Sequence, residues 1–137
     1  MKPMSNKAFL DSNVIIYSAS EDEPLKAAIA ENLIRQRQLI SPQVVFECLN
    51  VFRKKGGFHL PEAIKAVRGI MNKSVVVSEN IETTTTALRL LEKYSLQTYD
   101  SKIAAAALHA ECSILYSEDM QHGLLIEGTL TVINPFL

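Results

Sequence analysis

The chain has 137 residues, 47% apolar and 21% charged, with 14 basic against 15 acidic residues and a net charge of −1. That length holds one domain, 1–137, around a single core, and the composition excludes the disordered, collagen-like and low-complexity classes. The near-neutral balance removes whole-molecule attraction as an argument for a nucleic-acid partner, and the longest apolar run, residues 103–108, falls far short of the ~20 a membrane-spanning helix requires.

Residues 1–7 lack the apolar core of a signal peptide and Asp11 interrupts the next apolar stretch, so a cytoplasmic protein is expected. From there, short β-branched segments alternate with longer stretches of helical period, which predicts a parallel sheet covered by helices. A strand over 7–10 ends at Asp11. Pro24 opens an amphipathic helix over 24–38 with Leu25, Ala28, Ile29, Leu33 and Ile34 on its apolar side. A strand over 39–41 runs into Ser41-Pro42, read as the N-cap and first turn of a helix to about Lys55 that Gly56-Gly57 stops. A helix over 60–73 follows, with Pro61 and Glu62 in its first turn, and then a strand over 74–77. Helices over 81–95 and 100–112 precede the last two strands, 113–117 and 130–133. Cys48 and Cys112 stand singly in apolar stretches, which fits buried free thiols better than zinc or redox chemistry.

The chemistry follows from where acids fall on this plan. Asp11 comes directly after Phe9-Leu10, and Asp119 follows Ile114-Leu115-Tyr116-Ser117, so two strand ends present carboxylates where open α/β sheets place their sites. Asp100 opens the helix containing Ala104 to Ala107, and Glu47 lies in an apolar helix where an unpaired charge is expensive to bury. Taken singly, each has a plainer reading. Asp11 and Asp100 are good helix caps, Asp119 a good turn residue, and Glu47 recurs with Gln43, Asn50 and Lys54 on one solvated stripe. The set is what points to a cation, because several facing carboxylates repel strongly unless metal or protons intervene. Setting these four aside leaves eleven acids against 14 bases, which permits an RNA-binding surface.

The stretches Phe9-Leu10-Asp11-Ser12-Asn13, Glu47 in its helix, Tyr99-Asp100-Ser101-Lys102-Ile103-Ala104 and Leu115-Tyr116-Ser117-Glu118-Asp119 resemble, in order, the acidic motifs of PIN-domain nucleases. The resemblance covers nearly the whole chain and is closest to the single-domain toxins of VapBC-type toxin-antitoxin pairs. It implies a three-layer α/β PIN-like fold with a parallel five-stranded sheet of order 3-2-1-4-5 between helices. It also implies an endoribonuclease using Mg²⁺ or Mn²⁺, with single-stranded or looped RNA as substrate, an antitoxin partner and a homodimer. On that reading Asp11, Asp100 and Asp119 hold the metal, and Glu47 positions water or a second ion. Asn13 and Ser117 are expected to hold the carboxylates in place. Adjacent side chains in an extended segment point apart, so only one of Glu118 and Asp119 should face the metal, and Asp119 is preferred. His122 is read as incidental. Arg53, Lys54 and Lys55, beside the Glu47 helix, are candidate RNA contacts, although a basic helix end is usually solvated. Haloacid-dehalogenase-like and receiver-like folds fit poorly, because Asn13 and Ile15 stand where the former needs Asp and Thr or Val, and the latter needs a paired acid at the first strand. The remaining rival is a PIN-like module that binds RNA or protein without cutting.

Overall fold

Short strands and longer helices alternate along the chain in the computed structural model, which describes residues 7–137. Residues 1–6, most of the stretch read as lacking a signal-peptide core, lie outside the described residues. In chain order the elements are β1 (Ala8–Leu10), α1 (Ser12–Tyr17), α2 (Pro24–Arg35), β2 (Leu39–Ile40), α3 (Pro42–Lys54) and α4 (Leu60–Lys73). They continue with β3 (Val75–Val76), α5 (Ile81–Tyr94), α6 (Thr98–His109), β4 (Ile114–Tyr116), β5 (Leu125–Ile126) and β6 (Leu130–Ile133).

Among the described residues the strands form one sheet of order β3-β2-β1-β4-β6-β5. The five expected strands are there in the expected order and run parallel, the strand at 130–133 being β6. The expected sheet is corrected by a sixth strand: β5 pairs antiparallel with β6 across a turn in which Glu127 and Gly128 both take positive φ, 52° and 71°. Two residues are too few for an alternation to show in sequence, so only the turn chemistry could have announced it.

β1 is buried along its whole length, as a central parallel strand must be. Its Phe9 and Leu10 join Ile40, Val44, Leu90, Ile103, Leu115 and Val132 in one core cluster. Each fully buried side chain of this size contributes about 1.5–3 kcal/mol. The run Ala104 to Ala107 is buried, and its small side chains let α6 pack closely along α5. Both thiols, Cys48 and Cys112, are buried and free, and burial pushes Cys112 up to about 11.

Local details depart from expectation for identifiable reasons. α1 was not anticipated: six residues make less than two turns, too short for a period to register. Ser41 does occupy the N-cap of α3, but its buried hydroxyl makes no hydrogen bond among the described residues. The carboxylate of Glu79 instead accepts from the Gln43 backbone N–H at 2.9 Å, capping α3 from a distant loop. α6 begins at Thr98 with Gln97 as its N-cap, so Asp100 lies within the first turn and does not open the helix.

Candidate metal centre

The sheet changes direction at β1: β2 and β3 are added on one side, β4, β6 and β5 on the other. Leu10 stands opposite Tyr116, and the Asp11 N–H donates to the Tyr116 carbonyl at 3.0 Å, so the chain leaves the sheet at Asp11 and Ser117 side by side. A crevice at such a switch point is where open parallel sheets build their sites.

Asp11, 2% exposed, is the N-cap of α1, its Oδ1 accepting from the Ser12 backbone N–H at 2.7 Å. Its Oδ2 accepts from the Ser117 hydroxyl at 2.8 Å and from the Asn13 side-chain amide at 3.1 Å. The same Asn13 amide nitrogen lies 3.1 Å from Oδ2 of Asp119, and the Asn13 side-chain oxygen Oδ1 accepts from the Glu118 backbone N–H at 3.0 Å. Asn13 and Ser117 thus tie the two strand ends together. Ser12 reaches the other way: its hydroxyl donates to Oε1 of Glu47 at 3.1 Å, joining α1 to α3. Glu47, Asp100 and the exposed Asp119 line one open cleft of about 640 Å³ with Gln97, Thr98 and Tyr99.

The electrostatics are one-signed. Burial raises Asp11 above the usual carboxylate range and the charge of Asp119 adds to this, while the hydrogen bonds from Ser117 and Ser12 pull it back. Glu47 is raised by burial and then by the charges of Asp11 and Asp100, against hydrogen bonds from Ser12 and Gln43. Asp100 is pushed up to about 6 by burial and by the charges of Asp11 and Asp119. Among the described residues no lysine or arginine forms an ion pair with any of the four carboxylates.

Such a cation-free group of oxygen donors has the chemistry that Mg²⁺ or Mn²⁺ requires. The side chains are nevertheless spread: among the described residues no three Asp, Glu, His or Cys groups already stand close enough to hold an ion between them. Mg²⁺ keeps several waters and commonly takes only one or two carboxylates besides substrate phosphate, so a spread set suits it better than a closed cage.

Glu118 points out of this cluster. Its carboxylate accepts from the Tyr17 hydroxyl at 2.6 Å and pairs with Lys26 at 2.8 Å. Burial alone would raise its pKa, but the bonds from Lys26 and Tyr17 outweigh that and hold it below the usual range. His122 lies outside the cleft, its Nδ1 accepting from the Asn134 backbone N–H at 3.0 Å. The three basic candidates separate. Arg53 lines a cleft with Glu47, Lys55 lines a different groove with Ile16 and Phe58, and Lys54 lines neither.

Sequence reasoning did not single out Ser12, which couples Asp11 to Glu47, or the chain in which Lys102 donates to Gln43 at 2.9 Å and Gln43 in turn bonds Glu47. Ser12 sits inside the first motif and could have been found there. Lys102 and Gln43 are 59 positions apart, and no local pattern links them.

The PIN domain family model matches residues 8–122. No curated protein matches the chain in sequence. Among solved structures, a toxin-antitoxin complex from Klebsiella pneumoniae superposes with a TM-score of 0.69 at 16% identity, covering 94% of this chain and 98% of that one. DNA-bound VapBC from Salmonella typhimurium gives 0.68 at 18% identity, over 93% and 98% of the two chains. VapC20 of Mycobacterium tuberculosis, described as a sarcin-ricin loop cleaving toxin, gives 0.68 at 15% identity, over 82% and 90%. Identities this low speak for the fold alone. No helix among the described residues is long and apolar enough to cross a membrane.

Proposed function

The chain belongs to the PIN domain family, and on that footing we propose that it is a divalent-metal-dependent endoribonuclease, the cytoplasmic toxin of a toxin-antitoxin pair. The observation that carries the reading is the grouping of Asp11, Glu47, Asp100 and Asp119, the first three raised by burial and further by another's charge, with no lysine or arginine in an ion pair with any of the four among the described residues. A folded chain keeps such mutual repulsion where function requires it.

Asp11, Asp100 and Asp119 would hold the cation, Mg²⁺ or Mn²⁺, with Glu47 orienting the attacking water. When bound, the metal supplies Lewis-acid polarisation of the phosphodiester and makes water more acidic. The chain's own part is to keep the oxygen atoms in place. Ser117 and Asn13 fix the plane of the Asp11 carboxylate, Asn13 also restrains Asp119, and Ser12 and Gln43 direct Glu47. The Tyr17–Lys26 clamp on Glu118 keeps that neighbouring acid out of the cluster. RNA as substrate is supported by the description of VapC20, and an antitoxin partner by the toxin-antitoxin complexes that share the fold. A homodimer is part of the same reading, supported by exposed apolar side chains such as Ile81 and Leu88 on α5.

A second reading has its own observation: the acids are not gathered tightly, which would suit a PIN-like module that binds RNA or protein without cutting. The deciding experiment is cleavage of a mixed pool of structured RNAs with Mg²⁺, Mn²⁺ or EDTA, comparing wild type with Asp11→Asn and Asp100→Asn. Metal-dependent cutting, reduced about 100-fold or more by either change, is the expected result. RNA binding without cutting by folded, metal-saturated wild type would establish the second reading.

A further inference from the structure

α3 buries Val44, Val45, Cys48 and Phe52 and turns Gln43, Glu47, Asn50 and Arg53 toward the cleft side. Two apolar residues break this division: Leu49 lines the cleft half-buried, and Phe46, directly before Glu47, is 66% exposed. A large aromatic ring left in water does nothing for folding, and such a ring is more informative than an exposed polar residue. Across the cleft Tyr99, directly before Asp100, is 57% exposed. Among the described residues neither ring packs on another aromatic side chain. Each of two acids of the candidate site, Glu47 and Asp100, is therefore preceded in sequence by an exposed aromatic ring that stacks on no other ring among the described residues.

Phe46 and Tyr99 line one open cleft of about 470 Å³, shared with Asn50 and Arg53. Glu47 and Tyr99 also line the carboxylate cleft, so the two spaces adjoin. Whatever fills the Phe46 cleft sits beside the carboxylates of the candidate metal centre. The apolar part of the lining is confined to Phe46, Leu49 and Tyr99, and two amides, a guanidinium and a carboxylate stand between and around them, so the surface is mixed and unlike the long apolar stripe on which a helix would dock. Arg53 forms no ion pair among the described residues, and the ammonium of Lys102 lies 5.9 Å from the centre of the Tyr99 ring. Flat rings, hydrogen-bonding edges and positive charge are the components with which proteins hold an unstacked base and its phosphate.

We propose that Phe46 and Tyr99 form a nucleobase-stacking subsite for a nucleotide flanking the scissile phosphate, with Asn50 and Arg53 at its polar edge. The inference rests on the ribonuclease reading for its substrate class, and it assigns the specificity of that site to a base lifted out of its stack. It explains why looped or single-stranded RNA would be chosen: a base held in a duplex cannot reach these rings.

The test uses full-length protein and single-stranded RNA oligonucleotides carrying the fluorescent base 2-aminopurine at successive positions, in EDTA so that binding is read without cleavage. Stacking on Phe46 or Tyr99 should quench one labelled position. Phe46→Leu, which keeps an apolar side chain without a ring, should abolish that quench and weaken binding about tenfold, since base–aromatic stacking spans about 1–3 kcal/mol. Tyr99→Leu should behave likewise, while Phe46→Trp and Tyr99→Phe retain it. Circular dichroism and light scattering on each variant confirm the fold and report the oligomeric state. Quench and affinity unchanged in Phe46→Leu and Tyr99→Leu would overturn the subsite and leave the nuclease untouched. Quench lost in both, with no cleavage by wild type in Mg²⁺ or Mn²⁺, would uphold the subsite and sink the nuclease. A dimer converted to monomer by Phe46→Leu with RNA binding intact would assign the rings to a second copy and overturn the inference.

Discussion

Replacing Asp100 by Asn should make the metal-free protein more stable while crippling its proposed activity. In the folded chain this carboxyl is pushed from 3.8 up to about 6, first by burial and then by Asp11 and Asp119. Between those two values the folded state holds a proton that the unfolded state has released, so stability falls as pH rises from about 4 to about 6 and stays reduced above that. Fully shielded from solvent, a difference of that size would correspond to about 3 kcal/mol at neutral pH. Asp100 is only half-buried, and screening by water brings the figure to roughly 1 kcal/mol. In EDTA near neutral pH, Asp100→Asn should accordingly raise the urea midpoint, with a gain of roughly 3 °C in melting temperature. At pH 4 the gain should vanish, because wild-type Asp100 is then protonated. Saturating Mn²⁺ should invert the order: metal at a hundred times its dissociation constant stabilises wild type by about 2.7 kcal/mol, and the variant, short of one ligand, should gain less. The assay is urea unfolding at both pH values with EDTA and with Mn²⁺. A variant less stable than wild type in EDTA at neutral pH would refute the claim that repulsion and burial dominate at Asp100.

Removing the Ser117 hydroxyl, which donates to Asp11 at 2.8 Å from a fully buried position, should raise the Asp11 pKa further. Ser117→Ala should then move the acid limb of the pH–rate profile to higher pH and cost about 1–2 kcal/mol in urea unfolding; an unmoved acid limb would show that Ser117 does not govern the ionisation of Asp11. Ser41→Ala should be neutral or stabilising by up to about 1 kcal/mol, since its buried hydroxyl has no partner among the described residues and Glu79 already caps α3; a destabilised variant in thermal unfolding would mean the hydroxyl is satisfied in solution. In Gly56→Ala the new Cβ would meet the Phe52 carbonyl oxygen at 2.9 Å, a backbone clash with little room to relax. A loss of about 1–2 kcal/mol is expected in urea unfolding, and an unchanged midpoint would show that the end of α3 yields freely.

Much of the fold was legible because burial patterns and punctuation act locally. α4 begins and ends where Leu60, Pro61 and Lys73 predict, and the apolar β-branched segments found β1 to β4 and β6 in the right order. Elements too short to carry a period, α1 and β5, were not legible. The four acids could be chosen from sequence because each follows a strand or lies on a helix in a recognisable motif, but whether they share a space depends on β1 and β4 being neighbours in the sheet. Sequence could express a preference for Asp119 over Glu118, since strand alternation says that the two diverge, but the direction Glu118 takes is set by Tyr17 and Lys26, about a hundred positions away. The cap of α3 shows the principle most plainly. Local propensity names Ser41, yet the carboxylate that reaches the exposed N–H is Glu79, delivered by the return of the chain through β3. Periodicity and turn chemistry are properties of neighbouring residues and are written in order along the chain; convergence of charge is a property of distance in space, and only the folded sheet supplies it.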